Sequence, residues 1–488
     1  MNWFRWSHAF LLALALGIAV IFGRTFLVSS QLDHQPQPIA WQPDTAALAD
    51  ILGEAVRFRT ISYGTDTPVE GDAFVGFHEF LRQRFPRTHA ALTRETINRY
   101  SLLYRWPGQA AQGKKPVLLL AHMDVVPISP GTEQDWLAPP FGGEIKDGYV
   151  WGRGALDNKL SLISMLAAVE AMLARGEQPQ RDIYLAFGHD EEQGGATGAA
   201  EIAKVLEARQ LAFEFVLDEG GAVIDEILAG ARHPVAVVAP AEKGYATLRL
   251  TAEARGGHSS TPPPQSAIGI LASAIQSLES QPFPTNFAQS AEFLEAIADS
   301  MPFAQKLAMK NAWLFTPLLA TMVARVDAGR AAMHTTTAVT MIEGGIKPNV
   351  LPIRAEALVN FRIYPGETPD SVMEQVRFTI ADPRVRVEFA EVARAPSPVA
   401  PTEGFAWETL VRAILDTAAP QTVAVAPRLL VGATDSWHYR KVAPQQYRFA
   451  WLRLTMEDLA RIHGTNERAA VQNVGDSTRF YRRLLGAL

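Results

Sequence analysis

Short apolar runs alternate with longer segments of helical periodicity through the first half of the chain. Uninterrupted apolar runs bounded by turn residues are typical of buried strands, whereas apolar residues three and four positions apart predict helices that bury one face. Strands alternating with helices in this way predict a three-layer α/β domain around a parallel or mixed sheet. The predicted strands cover residues 117–121, 183–187 and 213–217, and the predicted helices cover 45–84 with a break near Gly64, 160–174 and 199–209.

The pattern changes after Pro240. Residues 245–254 alternate apolar and polar positions, as an antiparallel strand with one exposed face does. Together with the segments that follow, this predicts a small α+β domain of ferredoxin-like type, inserted into the first domain. Its other predicted elements are helices at 267–278 and 371–380 and strands at 335–342 and 355–363, and the sequence assigns no purpose to a largely helical segment at 282–332.

These patterns divide the chain into five parts. The larger domain is predicted to occupy two separate stretches, and its second stretch ends with a helix at 476–485. The inserted domain lies between them, and an apolar segment and a proline-containing linker precede both. The predicted parts are an anchor or signal segment at 1–30, a linker at 31–44, the larger domain at 45–241 and 396–488, and the inserted domain at 242–395.

The apolar segment at the amino terminus predicts export. Residues 9–23 are apolar throughout, with Arg5 before them and Arg24 after them. That run alone suits the apolar core of a signal peptide, since a bilayer span takes about 20 residues. Extended to Val28, with the Arg24 side chain reaching the membrane surface, it becomes a marginal membrane helix. We favour an uncleaved membrane anchor over a secreted or periplasmic product cleaved near Val28 and Ser30.

Composition restricts the chemistry that is open to the chain. Its 488 residues are 48% hydrophobic and 20% charged, as in ordinary globular proteins, and the formal net charge is −6. A chain without a basic excess cannot neutralise many phosphates, so no nucleic-acid partner is expected. Because cysteine is absent, any metal ion must be held by histidine, aspartate and glutamate.

Histidine and acidic residues collect at the ends of the predicted apolar segments. Each has an ordinary explanation when taken alone: a helix cap for Asp157, a turn residue for Asp218, a hydrogen-bonded core histidine for His122. Together they supply two imidazoles and several carboxylates, which is the ligand set expected of paired zinc ions when cysteine is absent. The full set is His122, Asp124, Asp157, Glu191, Glu192, Asp218 and His463.

Several short motifs occur in an order and spacing that chance explains poorly. The larger domain contains AHMDVVP at 121–127, WGRGALD at 151–157, GHDEE at 188–192 and LDEGG at 217–221. The inserted domain contains GGHSS at 256–260, KPNVLP at 347–352 and NFRI at 360–363. In this order the motifs resemble the aminoacylase/carboxypeptidase family of di-zinc metallopeptidases. NAWLF at 311–315 and TTTA at 335–338 are similar to its carboxypeptidase S branch, which includes N-fatty-acyl-amino-acid hydrolases.

The resemblance implies a metal-binding role for five residues. Asp157 corresponds to the carboxylate that bridges two zinc ions. His122 and Asp218 would complete one zinc site, and Glu192 and His463 would complete the other.

The resemblance also implies roles around the metals. Asp124 would accept the free N–H of His122 and fix its tautomer. Glu191 corresponds to the general base, which takes a proton from water and passes it to the departing amine. The family often has a second aspartate after the bridging one, whereas this chain has Asn158, so the backbone geometry there is an open question.

Further roles follow for residues outside this cluster. His258 corresponds to the donor that stabilises the tetrahedral oxyanion, with a solvent-facing strand residue as the plain alternative. Asn349 and Arg362 correspond to substrate-holding residues, and a guanidinium suits a terminal carboxylate, although an ordinary salt bridge would also explain Arg362. Gly432 begins the loop that closes the pocket, where Trp437 stands at a position that is often arginine in close relatives.

The sequence therefore predicts a membrane-anchored amidohydrolase or metallopeptidase with two Zn²⁺ per subunit. It would cut an amide bond next to a free carboxylate in a small peptide or an N-acyl amino acid. A narrow-specificity aminoacylase or dipeptidase is the alternative among enzymes, and a catalytically inactive binding protein is the alternative outside them. For His258 to act, the inserted domain must close over the larger one as a lid, and a homodimer through this lid is a further expectation.

Overall fold

The computed structural model describes residues 2–29, 32–64, 67 and 69–488, and for residues 2–7 and Ala9 it describes the backbone alone. The side chain of Arg5 lies outside the described residues, as do Ser30 and Gln31, where the sequence predicts a cleavage position and the start of the linker.

Helices occur along the whole described chain, with short 3-10 turns between them. The helices are α1 (Asn2–Leu27), α2 (Thr45–Val56), α3 (Gly71–Arg84), α4 (Pro86–Ala91), α5 (Lys159–Ala174), α6 (Ala199–Ala208), α7 (Ala267–Ser280), α8 (Ala288–Ile297), α9 (Phe303–Lys310), α10 (Ala312–Val323), α11 (Asp327–Ala331), α12 (Pro369–Ile380), α13 (Gly404–Ala418), α14 (Met456–Leu459) and α15 (Val471–Ala487).

The strands form several sheets. They are β1 (Thr93–Ile97), β2 (Ser101–Trp106), β3 (Val117–His122), β4 (Glu144–Lys146), β5 (Tyr149–Trp151), β6 (Ile183–Gly188), β7 (Val216–Asp218), β8 (Val223–Ile224), β9 (Val235–Val238), β10 (Gly244–Glu253), β11 (Gly257–His258), β12 (Thr336–Gly344), β13 (Val350–Leu351), β14 (Arg354–Ile363), β15 (Val385–Phe389), β16 (Ala424–Pro427), β17 (Gln446–Arg448), β18 (Arg453–Leu454) and β19 (Arg468–Ala470).

A six-stranded mixed sheet in the order β1-β2-β6-β3-β7-β17 lies at the centre of the larger unit. β3 pairs in parallel with β6 and with β7, and both β3 and β6 are buried along their whole length. Val117 and Leu119 pack into a core shared with α5 and α15, whereas Leu118 and Leu120 pack into a second core with α6. Because both faces are covered by helices, the strands can be apolar throughout. This confirms the predicted three-layer α/β fold.

Two smaller sheets extend this unit. One has the order β16-β9-β8-β18, and the other is the antiparallel sheet β19-β5-β4. β7 is shorter than the predicted strand: the N–H of Phe213 donates to the carbonyl of Val442, and regular pairing starts only at Val216. The other predicted strands and helices of this unit lie within a few residues of their predicted limits.

The inserted unit has the chain order β10-α7-β12-β14-α12-β15 and the sheet order β12-β14-β10-β15, with every pair antiparallel. This is the ferredoxin-like βαββαβ arrangement. The two helices bury their apolar faces on the sheet in a core of their own, which includes Leu248, Leu271, Val359 and Val376. Side chains cap both helices: Ser266 accepts the N–H of Gly269, and Thr368 forms a capping box. The predicted domain limits stay a prediction.

The two connections between the units are joined to each other at Glu242. Its N–H donates to Ser397 Oγ at 2.9 Å, and its carbonyl accepts the N–H of Ser397 at 3.2 Å. The Glu242 carboxylate is buried and accepts hydrogen bonds from the Arg448 guanidinium at 2.9 Å and the N–H of Thr434 at 3.0 Å. The connections are therefore held by a buried ion pair that also reaches the loop at Thr434.

The helical segment between α7 and β12 consists of α8 to α11. α8 packs against β16 of the larger unit, and α9 packs against α1. Of the helices in the described part of the chain, α1 alone is long and apolar enough to cross a bilayer, over Phe10–Leu27. An amino-terminal signal sequence has the same properties.

Candidate metal centre

The carboxyl ends of three neighbouring parallel strands lie together at one edge of the central sheet. β3 ends at His122, β6 at Gly188 and β7 at Asp218. His122 is paired directly with Gly188, so the 3-10 turn Glu191–Gln193 begins close to this histidine. Open α/β sheets bind their ligands at such an edge.

The carboxylate of Asp157 links two histidines at this edge. Its Oδ1 lies 3.0 Å from His122 Nε2, and its Oδ2 lies 3.0 Å from His463 Nε2. Glu219 Oε1 lies 3.1 Å from the same nitrogen of His122, and Glu192 Oε2 lies 3.1 Å from that of His463. Two groups of one imidazole and two carboxylates therefore share Asp157, and the ligand atoms within each group lie within 4.8 Å of one another.

The acid beside His122 is Glu219 and not the predicted Asp218. Asp218 Oδ2 instead accepts the backbone N–H of Ser436 at 2.7 Å, and its Oδ1 accepts the N–H of Glu219 at 2.9 Å. Consecutive side chains at the end of a strand point in different directions, so one of the two adjacent acids faces the histidine. The sequence displays the Asp-Glu pair but not the direction of each side chain. We correct the candidate ligand to Glu219.

Asp124 contacts both His122 and the 3-10 turn Glu191–Gln193, here called the acidic turn. Its carbonyl lies 3.0 Å and its Oδ1 lies 3.3 Å from His122 Nδ1. Its carboxylate also accepts the backbone N–H groups of Glu191 and Glu192, each at 3.1 Å, and the hydroxyl of Ser62 at 2.7 Å. Burial opposes ionisation of Asp124, but the hydrogen bonds from His122 and Ser62 hold its pKa below the usual value. It is therefore a buried carboxylate that positions its neighbours.

A second buried pair, which sequence reasoning missed, supports Asp157 and His463. Glu467 Oε1 accepts the N–H groups of Gly154, Leu156 and Asp157 at 2.9 to 3.2 Å, and Oε2 lies 2.5 Å from Arg153 Nη1. The Arg153 guanidinium in turn donates to the carbonyl of His463 at 3.1 Å. The loops that carry the shared carboxylate and the second histidine are thus fixed to one ion pair. Glu467 lies only four residues after His463, which was the available signal.

The crowding of acids makes this edge suitable for cations. Burial, together with the charge of Asp157, raises the pKa of Glu219 to about 8, and burial raises the pKa of Glu192. Among the described residues, Glu192 Oε1 is buried without a hydrogen-bond partner. Two imidazoles with carboxylates and no thiolate form a donor set that zinc accepts, and dications would offset the repulsion between the carboxylates. The residues fit a pair of metal ions.

Comparison with known proteins identifies the family. The sequence pattern of peptidase family M20/M25/M40 matches residues 118–487. The chain belongs to this family. It is 36% identical to an N-fatty-acyl-amino acid synthase/hydrolase of Danio rerio, over 97% of this chain and 93% of that protein. It is also 36% identical to the probable carboxypeptidase S-like 2 of Dictyostelium discoideum, over 90% of this chain and 84% of that protein.

The fold agrees with this assignment. An M20 family metallo-carboxypeptidase from Sulfolobus solfataricus matches with a TM-score of 0.64, over 91% of this chain and 99% of that one, at 16% identity. The predicted resemblance and enzyme class are confirmed. M20 peptidases depend on metal ions, typically two, and this chain is a metallopeptidase or amidohydrolase that hydrolyses amide bonds.

The residues predicted in the inserted unit of this M20 chain have other contacts. His258 is exposed on β11 and its Nδ1 lies 2.7 Å from Ser260 Oγ, while Asn349 is exposed in the turn before β13. Arg362 on β14 is half-buried, with its guanidinium 4.9 Å from the centre of the Tyr245 ring. Within the described chain, neither the ion pairs nor the hydrogen bonds of these side chains reach the two metal-binding groups. Their catalytic and binding roles stay predictions.

The loop after Gly432 packs against the metal-binding edge. The Asp435 carboxylate lies against Gly188 and Gly195, where a Cβ atom would collide with it, and the φ of +68° at Gly195 also favours glycine. Burial raises the pKa of Asp435, and the neighbouring charge of Asp218 adds to this. Gly432 itself is half-buried in the bend that leads into this loop.

Two arginines that sequence reasoning missed flank Trp437. The guanidinium carbon of Arg440 lies 3.6 Å from the centre of the Trp437 ring, and that of Arg394 lies 4.6 Å from it. Arg394 also lies 3.2 Å from His438 Nε2, and this nitrogen lies 2.8 Å from the carbonyl of Gly194 in the acidic turn. Positive charge thus borders the metal-binding edge although residue 437 is not arginine.

The choice between the adjacent acids can be tested with matched variants. We expect Glu219→Gln to weaken one metal site by more than the roughly 10- to 100-fold typical of a lost outer-shell partner, because it replaces a candidate ligand. Asp218→Asn removes charge one residue away and is expected to leave metal content near that of the wild type. Metal content after dialysis against limiting zinc, measured by mass spectrometry, compares the two. The opposite order would restore Asp218 as the ligand.

Proposed function

We propose that the chain binds two zinc ions and hydrolyses an amide bond adjacent to a free carboxylate, in an N-acyl amino acid or a small peptide. The observation that best supports this proposal is the position of the Asp157 carboxylate, which offers one oxygen to each of two metal-binding groups. His122, Glu219, Glu192 and His463 would complete those groups. When bound, paired zinc ions supply a nucleophile at neutral pH by lowering the pKa of water.

Glu191 is the proposed general base. It shares one short turn with Glu192, and Asp124 holds the backbone N–H groups of both residues. Because adjacent side chains on such a turn diverge, Glu192 can serve the metal while Glu191 stays free to carry a proton to the departing amine. Burial raises the pKa of Glu191 well above its usual value, while the nearby His122 opposes this shift.

A pair of cations supports recognition of a free carboxylate. Tyr245 pairs through its backbone with Arg362 on one side and with Arg394 on the other, so the two arginines flank the same residue. Burial lowers the pKa of Arg362, and the positive charge of Arg394 adds to this shift. A substrate carboxylate would relieve this repulsion and accept hydrogen bonds from the planar guanidinium of either residue. The relatives named for N-fatty-acyl amino acids favour an acyl substrate, and the one named for carboxypeptidase S keeps small peptides as the second candidate.

We also propose that α1 stays attached as a membrane anchor, with the larger unit on the exported side. Arg24 Nη2 lies 3.0 Å from Glu295 Oε1, and Asn311 Nδ2 lies 3.1 Å from Thr25 Oγ1. Cleavage after these residues would release a segment whose polar groups are bonded to the folded protein. A secreted product remains the alternative that cell fractionation would reveal.

The assignment within the glutamate pair gives a sharp mutational test. Glu191→Gln is expected to reduce kcat by about two to four orders of magnitude, the span of general-base catalysis, while both metals stay bound. Its neighbour supplies the control, since Glu192→Gln should lower metal content first and activity as a consequence. The measurements are turnover at saturating substrate and zinc per chain. A metal-depleted Glu191→Gln protein would contradict the proposed division of roles.

Substrate class and metal dependence can be tested on the wild-type enzyme. Chelation should abolish hydrolysis and added zinc should restore it. Blocking the substrate carboxylate as an amide should lower kcat/KM roughly 10- to 100-fold, since a hydrogen bond to a charged group contributes about 1.5–3 kcal/mol. A panel of long-acyl, short-acyl and peptide substrates, each free and blocked, separates the candidates. Equal rates for free and blocked substrates would exclude carboxylate recognition.

The lid and dimer proposals are tested together through His258. His258→Ala should lower kcat about 10²- to 10³-fold, the effect of losing one oxyanion donor, without loss of zinc, because no proposed ligand lies in the inserted unit. Mixing this variant with Glu191→Gln then asks where the histidine acts. Recovered activity would require a site built from two chains, and an inactive mixture of stable proteins would place His258 in its own subunit. A fully active His258→Ala enzyme would limit the inserted unit to binding.

A further inference from the structure

Helix α10 presents apolar side chains to the outside of the protein. Its twelve residues include no charged group, and its buried positions are Ala312 and Leu319. A helix at the surface of a globular protein normally has polar residues on its outer face. Here Trp313 is 62% exposed and Leu318 is 54% exposed. The outer positions recur at helical spacing and are Trp313, Leu314, Pro317, Leu318, Thr321 and Met322.

The beginning of α10 is fixed to the end of α1 by buried polar contacts. Asn311 is fully buried, and its Nδ2 donates to the carbonyl of Ile21 at 3.2 Å as well as to Thr25 Oγ1. The buried Lys310 ammonium donates to the carbonyl of Val28 at 2.9 Å, and Arg24 Nε donates to the carbonyl of Lys310 at 3.1 Å. These hydrogen bonds link α1 to the start of α10 at defined positions, although Asn311 Oδ1 has no hydrogen-bond partner among the described residues.

An aromatic contact lies next to this polar joint. The ring centre of Phe303 on α9 lies 5.9 Å from that of Phe26 and 6.4 Å from that of Phe22 on α1. Phe26 nevertheless remains 64% exposed, and Phe303 remains 49% exposed. The apolar surface of α1 therefore continues onto the helical segment instead of ending at it.

The position of these contacts along α1 indicates what covers the exposed outer face of α10. Ile21 and Thr25 belong to the last two turns of the apolar span Phe10–Leu27, which is almost entirely exposed. The contact with Asn311 thus places Trp313 near the level at which that span would leave a bilayer. Tryptophan is enriched at this level. Interfacial helices usually turn a charged face to water, whereas the inner positions Ala312 and Leu319 of α10 are buried in the protein, so its apolar outer face is the one left to meet lipid.

We propose that α10 is an interfacial membrane helix, so that the enzyme binds a lipid bilayer through two joined elements, the span α1 and the outer face of α10. This assigns a role to the helical segment between α7 and β12. It also fixes the orientation of the larger unit, because α8 of the same segment packs against β16. The proposal rests on the membrane anchor proposed for α1 and is independent of the metal chemistry.

The absence of cysteine makes a site-specific test direct. Leu318→Cys in the full chain, labelled with an environment-sensitive fluorophore and reconstituted in nanodiscs, should show a blue-shifted emission and strong quenching by brominated lipid. Phe378→Cys is the matched control, since Phe378 is 79% exposed on α12 of the inserted unit. Quenching at position 318 should exceed that at 378 several-fold. Met322→Cys, one turn further on, should behave like Leu318→Cys.

Two results would overturn the proposal. One is a label at 318 that emits as in water and is quenched no more than the label at 378. The other is a label that is shielded in detergent, without lipid, and loses this shielding when the protein concentration is lowered. That result would show that a second copy of the protein covers α10. Retained hydrolytic activity of each cysteine variant shows that the measured protein is folded.

Discussion

Asp157 offers one carboxylate oxygen to each of two histidines, and much of the surrounding structure serves to hold it there. Isolated charges are costly to bury, so the carboxylate is useful only if the groups around it are fixed in place. Glu467 fixes the backbone that leads to Asp157, Arg153 joins that backbone to the loop of His463, and Asp124 fixes the turn of Glu191 and Glu192. The fully buried strands β3 and β6 supply the rigid base on which these loops start.

The chain pattern predicted most of the fold because the periodicities were unambiguous. β3 and β6 are apolar on both faces, as expected, and α5 begins at Lys159, one residue before its predicted limit. β10 is antiparallel as predicted, but Thr247 and Thr251 on its polar face are buried instead of exposed. β7 was predicted too long because burial of Phe213 does not require regular pairing. Periodicity reports burial and repeat, whereas strand ends depend on hydrogen-bond partners that are distant in sequence.

The sequence predicted which residue types form the candidate site, but it did not predict the orientation of every side chain. The motifs brought His122, Asp157, Glu192 and His463 together, and the structure places these four within two adjoining groups. The Asp218–Glu219 pair could not be resolved from sequence, because the choice depends on the local backbone direction at the end of β7. Arg394 was missed for another reason: it lies in a connection, and its proximity to Trp437 arises only in the folded chain.

Glu242 gives the two-unit architecture a mechanical property. Its backbone joins the two connections, its carboxylate holds Thr434, and two residues later Ser436 donates its N–H to Asp218 beside the metal-binding edge. A displacement of either connection at Glu242 would therefore strain the loop that holds Asp218. The link between the two units and the acids of the metal-binding edge are thus mechanically coupled, so a shift of one is transmitted to the other through residues 434–436.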